Sequence, residues 1–401
     1  MDNLPQERPR KKSGPRKRFD RKCSIGTLII ACIVCAAVTA GVLCLAFFGR
    51  FGGVANYKLA LKFADVKQVI DQNYIGDGDD TAISDAASAA MVTALGDKWS
   101  YYMTPEEYVA YQMYSANEYA GIGVTIQPEE SGGGYRIVAV SAQSPAENAG
   151  LQVGDVILAV DGSSVSGMTL TDVQQLIRSK LSQTVSFTIR GADGQSRTVA
   201  VDCAVIHTEP VSYELLADGV GYVKINNFES GSGDGAIQAV DQLLADGASA
   251  IVFDVRGNPG GMLSELLKLL DHLLPEGDLF VSVDKAGNEK VTRSDNVCVK
   301  VPMAVLVNGG SYSAAEFFAA ALREYDWATI VGENTTGKGR SQTTIVLADG
   351  SAVHISSNKY LTPNRTDLSE QGGLTPDIVV PPGEDGETDP QLDAAILTVQ
   401  R

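Results

Sequence analysis

The sequence predicts a multidomain α/β protein that carries a single N-terminal transmembrane helix. First, 24 uncharged residues, from Ile25 to Phe48, follow a basic N-terminal block. Second, apolar residues recur at helical spacing up to about residue 116, and short alternating segments typical of β-strands follow from about residue 118. Third, strand and helix patterns alternate after Thr208, which is typical of an α/β domain. A chain of 401 residues is long enough for two or three domains.

The apolar segment of residues 25–48 has the length of a membrane anchor. As a helix it would extend about 36 Å, which exceeds the roughly 30 Å of a hydrocarbon core. A cleaved signal peptide is the alternative, but its apolar stretch is usually about 7 to 15 residues long and ends at a small-x-small site. Residues 1–22 carry nine Lys and Arg against three acids. The positive-inside rule therefore predicts a cytoplasmic tail over residues 1–24, an anchor in the cell membrane and an extracytoplasmic body.

The remainder of the chain is strongly acidic. Residues 51–401 hold 22 Lys and Arg against 46 Asp and Glu, so they would repel nucleic acid and anionic lipid. We expect no nucleic-acid partner, and contact with the cytoplasmic membrane through the N-terminal helix. Cys203 and Cys298 are predicted to be buried free thiols, although an oxidising compartment would permit a disulfide between them. Because no Cys and His cluster has the spacing of metal ligands, neither a metal nor a cofactor is expected.

Residues 55–116 are predicted to form a helical N-terminal region. Apolar residues between Leu59 and Ile70 recur near the 3.6-residue period, and Ala86 to Leu95 is rich in alanine. Thr104 and Pro105 are predicted to be the N-cap and the first residue of a further helix. We assign this region a packing role and expect it to offer a contact surface for a homo-oligomer.

Residues 117–205 contain short strands, one helix and several glycine turns in a defined order. The segments that carry this pattern are Gly121–Ile126, Tyr135–Val140, Ser144–Leu151, Val153–Gly162, Leu170–Lys180 and Val185–Arg190. This stretch resembles a PDZ domain. The resemblance implies capture of a protein C-terminus by strand addition, with its carboxylate held by the backbone amides of Ile122, Gly123 and Val124. The partners implied are protein or peptide substrates with accessible C-termini.

Residues 206–380 contain two copies of a strand, a glycine turn and a helix. The strand pattern of Ala250 to Val255 precedes the Arg256–Gly261 turn, and that of Val301 to Val307 precedes a turn that ends at Ser313. Such turns leave backbone amides without partners. Residues 381–401 are predicted to be an acidic connection followed by a short helix.

Ser313 and Lys338 are the residues most suggestive of chemistry. A serine is a poor nucleophile until a base takes its proton, and a lysine serves as that base only if burial keeps it neutral. Two alternatives need no catalysis. Ser313 and Glu316 have the spacing of a capping box. Gly332 to Lys338 matches most of a phosphate-binding loop, but Gly339 replaces the required Ser or Thr and a strand pattern follows.

Five segments in this order resemble the carboxyl-terminal processing proteases, also called tail-specific proteases. They are Tyr102–Tyr108, Arg256–Gly261, the turn Asn308–Glu316, Gly337–Gly339 with Gln342, and Tyr360–Pro363 together with Gly373–Asp377. The resemblance implies an α/β serine peptidase core of the ClpP/crotonase type. It also implies that Ser313 is the nucleophile, Lys338 the general base and Gln342 the group that orients the lysine. The amides of Gly260 and Ala314 would form the oxyanion hole.

The chain departs from the family pattern at three positions. Tyr312 stands where a small residue is usual, Ala315 where a serine is common, and Gly257 where an asparagine is more usual. None of these changes removes a predicted catalytic atom. The expected function is a membrane-anchored, extracytoplasmic serine endopeptidase of bacterial type. The alternative is a catalytically inactive PDZ scaffold that binds protein C-termini. A Ser-His-Asp protease is disfavoured by the domain order.

Overall fold

The computed structural model describes residues 25–50, 52–129, 133–383 and 388–400, which form two compact units divided after Ser84. The predicted basic tail of residues 1–24 lies outside the described residues. The first unit contains α1 (Ile25–Arg50), α2 (Val54–Asn73) and the start of α3 (Asp80–Thr93). Among the described helices, α1 alone is long and apolar enough to cross a membrane. Its bounds include the anchor predicted over residues 25–48, whose insertion in a membrane stays a prediction.

The second unit begins with the rest of the helical N-terminal region, which the structure confirms. It contains β1 (Tyr101–Met103) and α4 (Pro105–Ser115). Thr104 is the N-cap of α4 as predicted, because its hydroxyl accepts from the Glu107 amide while the Glu107 carboxylate accepts from the Thr104 amide. The strand β1 was not expected. It pairs with residues 352–354, far along the chain, so no local pattern indicates it.

The PDZ-like segment is a small sheet with one main helix. Its elements are β2 (Glu118–Gly121), β3 (Val124–Pro128), β4 (Tyr135–Val140), α5 (Pro145–Asn148), β5 (Val156–Val160), β6 (Ser163–Ser164), α6 (Leu170–Arg178), β7 (Thr184–Arg190), β8 (Ser196–Asp202) and β9 (Ala204–His207). The main sheet has the order β3-β4-β5-β7-β8, so one edge of β3 is unpaired within it. The strand predicted over residues 121–126 is wrong at its centre, because Ile122 and Gly123 form a turn between β2 and β3.

The PDZ-like segment joins the rest of the second unit through strands β2 and β9, which are called the neck strands below. Strands β2 and β9 pair antiparallel, away from the main PDZ sheet. At the end of this pair the Thr208 amide and hydroxyl both donate to the Asn117 carbonyl, at 2.8 and 3.1 Å. The chain therefore enters and leaves the PDZ segment at adjacent points.

The remaining elements form the α/β core and a second sheet. They are β10 (Val211–Leu215), β11 (Val220–Ile225), α7 (Ser232–Ala245), β12 (Ala250–Asp254), α8 (Leu263–Leu273), β13 (Gly277–Val283), β14 (Glu289–Ser294), β15 (Met303–Val307), α9 (Ala314–Glu324), β16 (Ala328–Gly332), β17 (Arg340–Val346), β18 (Ala352–Leu361), β19 (Ile378–Val379) and α10 (Pro390–Val399). The core sheet has the order β10-β11-β12-β15-β16-β19, and all its pairs are parallel except β10 with β11.

Both faces of the core sheet are covered. Val223, Phe253 and Val305 point to the face where α7, α8 and α9 pack, while Val252 and Leu306 point to the opposite face under α10. This alternation follows from the two-residue period of a strand. The loops after β11, β12 and β15 leave from the same carboxyl edge, which is the usual place for a site in an open parallel sheet.

The two cysteines of the body are free. Cys203 is buried, and its thiol donates to the Ile177 carbonyl at 3.3 Å. Cys298 is only half-buried, so the prediction of two buried thiols is wrong for this residue. It lies between β14 and β15, in a segment without regular secondary structure, so no strand directs its side chain into the core.

Candidate active site

Ser313 lies at a sharp turn between β15 and α9. Its backbone has φ 59° and ψ −122°, a conformation that non-glycine residues rarely adopt. Strained turns of this kind between a strand and a helix present a nucleophile in several hydrolases. The Ser313 side chain forms no capping hydrogen bond, so the capping-box explanation is wrong for its hydroxyl. The hydroxyl is therefore not committed to holding the helix.

A second serine in the same turn has a structural role. Ser311 is fully buried, its hydroxyl donates to the Val255 carbonyl at 2.7 Å, and it accepts from the Asn308 amide at 3.0 Å. These bonds join the loop after β15 to the end of β12. The structure therefore separates a serine that fixes the turn from the serine that faces the cavity.

Gly260 packs against the Ser313 turn. A Cβ atom at Gly260 would lie 2.7 Å from Ser313 Cβ and 2.8 Å from the Ala314 nitrogen, and the residue has φ 89°. Only glycine meets both conditions. Ala314 is the first residue of α9, so its amide has no acceptor within the helix. This amide is available where an oxyanion would develop.

The Gly260 amide points elsewhere in this conformation. It donates to Asn258 Oδ1 at 2.8 Å, and the buried Asn258 side chain also donates to the Ile225 carbonyl at 2.8 Å. The predicted contribution of Gly260 to an oxyanion hole therefore requires the Asn258–Gly261 loop to turn, and it stays a prediction.

Lys338 is held through its backbone by Glu316. The amides of Gly337 and Lys338 donate to the two Glu316 carboxylate oxygens at 2.7 and 2.9 Å, and the Thr335 hydroxyl also donates to this carboxylate. Burial raises the pKa of Glu316, although these hydrogen bonds oppose the shift. In addition, the Tyr360 hydroxyl donates to the Lys338 carbonyl. The loop is thus tied to α9, which Ser313 precedes.

The glycines beside Lys338 permit close backbone contacts with another loop. A Cβ atom at Gly337 would lie 2.8 Å from the Gly373 nitrogen, and one at Gly339 would lie 2.4 Å from Asp367 Oδ1. A side chain at either position would push the Lys338 loop away from residues 367–373. The glycines therefore set the position of the lysine from outside the cavity.

The Lys338 amine lies over aromatic rings. Its Nζ atom is 4.6 Å from the Trp99 ring centroid and 6.0 Å from that of Tyr312, and the two rings pack 5.5 Å apart. Burial lowers the pKa of Lys338 to about 8, while the charge of Asp97 opposes this shift. This lowering of the Lys338 pKa agrees with the requirement for a neutral amine.

Gln342 lies on β17 and faces the same cavity as Lys338. Its Nε2 donates to the Arg340 carbonyl and to Ser356 Oγ, each at 3.0 Å. Because both amide hydrogens are engaged, the Oε1 atom is the group able to accept from an ammonium. This arrangement is compatible with the predicted orienting role.

These residues share a cavity of about 560 Å³. Ser313, Lys338, Gln342, Gly260 and Ala314 all line it. Four further lining residues carry charged, imidazole or indole side chains that no sequence motif indicated. They are Lys98, Trp99, Glu229 and His354. Their chain segments show no glycine-rich turn or other motif, so only the fold brings them here. No group of three or more potential metal ligands occurs in the part of the chain that the structure describes.

His354 is a second possible base near Ser313. Its ring stacks on Tyr101 with centroids 4.8 Å apart, and its Nδ1 lies 2.8 Å from Thr344 Oγ1. Burial, together with the charge of Lys338, lowers the pKa of His354 to about 4. The imidazole is therefore neutral near pH 7 and packs as an aromatic side chain.

Comparison with known proteins identifies the domains. Residues 219–380 match the family model described as peptidase family S41, and residues 136–191 match a PDZ domain. Two relatives, one in Staphylococcus saprophyticus and one in Staphylococcus aureus, are each named "Probable CtpA-like serine protease". Both are 32% identical to this chain, over 79% and 80% of its length respectively. The core of the chain is therefore similar to peptidase family S41 over residues 219–380.

The chain spans 64% of the length of each of these two relatives. A solved structure with the same fold is titled photosystem II D1 C-terminal processing protease. It is 28% identical, and the alignment covers 88% of this chain and 92% of that chain with a TM-score of 0.51. The predicted α/β peptidase core with a PDZ domain is confirmed.

The three departures from the pattern of the carboxyl-terminal processing proteases have a structural explanation. Gly257 has φ 72°, a region that the more usual asparagine also tolerates, so the loop geometry is preserved. Its Cα lies 3.0 Å from the position of a Cβ atom at Gly310. Tyr312 packs on Trp99 and forms part of the wall beside the lysine. Ala315 is fully buried in the core, where a serine would need a hydrogen-bond partner.

The predicted carboxylate cradle lies at the turn between β2 and β3. Ile122 is buried, and its carbonyl accepts from the Ala146 amide at 2.9 Å. Gly123 has φ 82°, and a Cβ atom there would lie 2.3 Å from Ser144 Cβ. Val124 begins β3, whose free edge could accept an added strand. Peptide binding by these residues stays a prediction.

Proposed function

We propose that this chain is a membrane-anchored serine endopeptidase that acts outside the cytoplasmic membrane with a Ser-Lys dyad. The observation that carries the proposal is that the uncapped, strained Ser313 and the Lys338 amine with its lowered pKa open into one cavity. Such a mechanism needs a neutral amine and a hydroxyl that can give its proton to that amine.

The chemistry proceeds in two halves. Lys338 Nζ takes the hydroxyl proton as Ser313 Oγ attacks the carbonyl carbon of the substrate, and the Ala314 amide donates to the oxyanion that forms. The lysine then gives its proton to the departing amine, which leaves an ester on Ser313. Water, deprotonated by the same lysine, hydrolyses that ester and restores the hydroxyl.

The PDZ domain would select the substrate by its tail. The free edge of β3 can accept an extended C-terminal segment, and the amides of Ile122, Gly123 and Val124 would hold the terminal carboxylate. The helix α1 would keep the enzyme at the membrane. The apolar side chains of α2, including Leu59, Val66 and Val69, are exposed among the described residues and would suit contact between copies.

The decisive experiment is a cleavage assay with the full-length chain in detergent micelles and casein as substrate. Ser313→Ala and Lys338→Ala should each abolish cleavage. Lys98→Ala is the matched control, since Lys98 lines the same cavity with its Nζ 4.4 Å from the Trp99 ring, and it should retain activity. A chelator should leave the rate unchanged. Full activity in both dyad variants would end the proposal.

A second candidate function is a PDZ scaffold that binds tails without cutting them. One observation favours it, namely that the Gly260 amide is engaged by Asn258 and so does not face the cavity. Under this alternative the wild-type chain would bind C-terminal peptides in a fluorescence assay and would leave casein intact.

A further inference from the structure

Glu229 is a buried acid in the cavity that the proposed chemistry does not use. It follows β11 and is 7% exposed. Its carboxylate forms no ion pair within the described residues, and the one side chain that interacts with it is that of Ser115. Ser115 Oγ lies close enough to lower the carboxyl pKa somewhat, yet it is itself buried without a hydrogen-bond partner. An unpaired carboxyl in such a position is costly, so it requires an explanation.

Backbone contacts connect Glu229 to the nucleophile. A Cβ atom at Gly261 would lie 2.8 Å from the Glu229 nitrogen, and the adjacent Gly260 packs against Ser313. Glu229 and Ser313 both line the cavity. A peptide whose scissile bond lies at Ser313 would therefore direct a neighbouring side chain toward Glu229.

The surroundings of Glu229 suit a long side chain with a cationic end. Tyr101, Tyr114, Leu266 and Phe280 line the same cavity and supply apolar and aromatic surface. Lys and Arg pack their aliphatic stems against such surfaces and place their charge at a polar group. Burial raises the pKa of Glu229 to about 7, and a bound cation would favour its ionised form.

No cation of the described chain already neutralises this acid. Lys98 also lines the cavity, but it forms no ion pair with Glu229 and its Nζ lies over the Trp99 ring. The described salt bridges likewise leave Glu229 without a partner. A substrate side chain is thus the group able to complete the site.

We propose that Glu229 is a specificity-determining residue that selects a Lys or Arg side chain next to the scissile bond. This inference rests on the proposed peptidase function. A charged hydrogen-bonding pair in a buried site discriminates strongly, because an apolar substrate leaves the carboxylate without a partner.

The test uses full-length enzyme in detergent at pH 8 and fluorogenic peptides that differ at one position. Each position flanking the cleavage site carries Lys, Arg, Met or Glu in turn. At one position the wild type should prefer Lys or Arg over Met by about 30-fold or more in kcat/KM. Glu229→Gln should remove most of this preference and lower the Lys-to-Met ratio of kcat/KM to about threefold or less.

A control variant separates selectivity from folding. Glu265 is also buried, but its carboxylate accepts from the Gly233 amide at 3.0 Å and it does not line the cavity. Glu265→Gln should lower the unfolding temperature and leave the Lys-to-Met ratio unchanged. Glu229→Gln should not lower the unfolding temperature, since it removes no hydrogen bond.

The outcomes are distinguishable. Cleavage with no preference for Lys or Arg, or a preference that survives Glu229→Gln, overturns the role of Glu229 and leaves the peptidase function standing. If the wild type cleaves neither peptides nor casein, the peptidase function fails and the inference fails with it.

Discussion

The pKa of the Lys338 amine is set by opposing interactions. Burial disfavours its charged form, whereas the Trp99 ring and the Asp97 carboxylate favour it. With a pKa of about 8, roughly a tenth of the molecules have a neutral amine at pH 7. The proposed base is therefore neutral in only a minority of molecules until the pH rises.

The first prediction concerns this titration. Below pH 8 the ammonium form dominates, so kcat/KM should rise about tenfold per pH unit and level off above about pH 8. Trp99→Leu removes the ring that favours the cation and should shift the rise to lower pH by about half a unit. Initial rates of peptide cleavage between pH 5 and 9 measure both curves. A profile that is flat across this range would contradict the lysine as base.

The second prediction distinguishes the two possible bases. His354→Phe keeps an aromatic ring against Tyr101 and should retain kcat/KM within about tenfold, whereas Lys338→Ala should lose about a thousandfold or more. Single-turnover assays with one peptide compare the variants. The reverse ranking would assign the proton transfer to His354.

At the scale of elements, one carboxylate joins helix α9 to the loop that carries the lysine. Glu316 accepts hydrogen bonds from the amides of Gly337 and Lys338, and it is fully buried. Because Ser313 immediately precedes α9, this carboxylate controls the relative position of the two predicted catalytic residues.

The third prediction follows from that connection. Glu316→Ala leaves the buried Thr335 hydroxyl and the part-buried amides of Gly337 and Lys338 without an acceptor. It should cost about 3 kcal/mol of unfolding free energy together with most activity. The matched control is Glu324→Ala at the other end of α9, where the carboxylate accepts from Thr362 Oγ1 and the Asn364 amide. The Glu324→Ala variant should lose stability but keep the wild-type cleavage rate per folded molecule. Urea unfolding and casein assays compare them.

Local periodicity predicted most helices and the core strands. The bounds of β4 agree with the prediction at Tyr135–Val140, and β12 agrees within one residue with the strand predicted over Ala250 to Val255. In contrast, β1 depends on pairing with the distant β18, for which a local pattern gives no signal. The same pairing brings His354 and Trp99 to the cavity. The direction of the Gly260 amide depends on one buried asparagine and could not be predicted from residue types.

At the scale of the whole molecule, Arg256 attaches the C-terminal helix to the core sheet. Its guanidinium donates to Asp254 at the end of β12, to Asp389 at the N-cap of α10 and to Gln391. Asp254 is almost fully buried, and these contacts lower its pKa despite its burial. Arg256 also begins the loop that leads to Gly260.

The fourth prediction tests this attachment. Arg256→Lys keeps the charge but loses the planar, multidentate contacts, and it should lower the unfolding free energy by about 2 kcal/mol. Asp389→Asn should cost less, because Asp254 would still pair with Arg256. Thermal unfolding with circular dichroism measures both. Equal stability of Arg256→Lys and wild type would contradict the role of this network.

The fifth prediction concerns the PDZ domain. Replacing residues 118–207 with a short glycine linker, while keeping Asn117 and Thr208, should leave a folded peptidase core. The core should still hydrolyse casein, and it should lose any preference for substrates with a particular C-terminus. Aggregation of this variant, while the wild type remains soluble, would mean that the core requires the domain to fold.

The paired neck strands make the PDZ domain an insert that could be exchanged as a unit. Because both ends of the insert meet at one point, recognition can be exchanged without severing any strand of the catalytic scaffold. The substrate recognition proposed for the PDZ domain and the hydrolysis proposed for the core could therefore change independently. A library of grafted recognition domains could direct one hydrolytic core to new substrates.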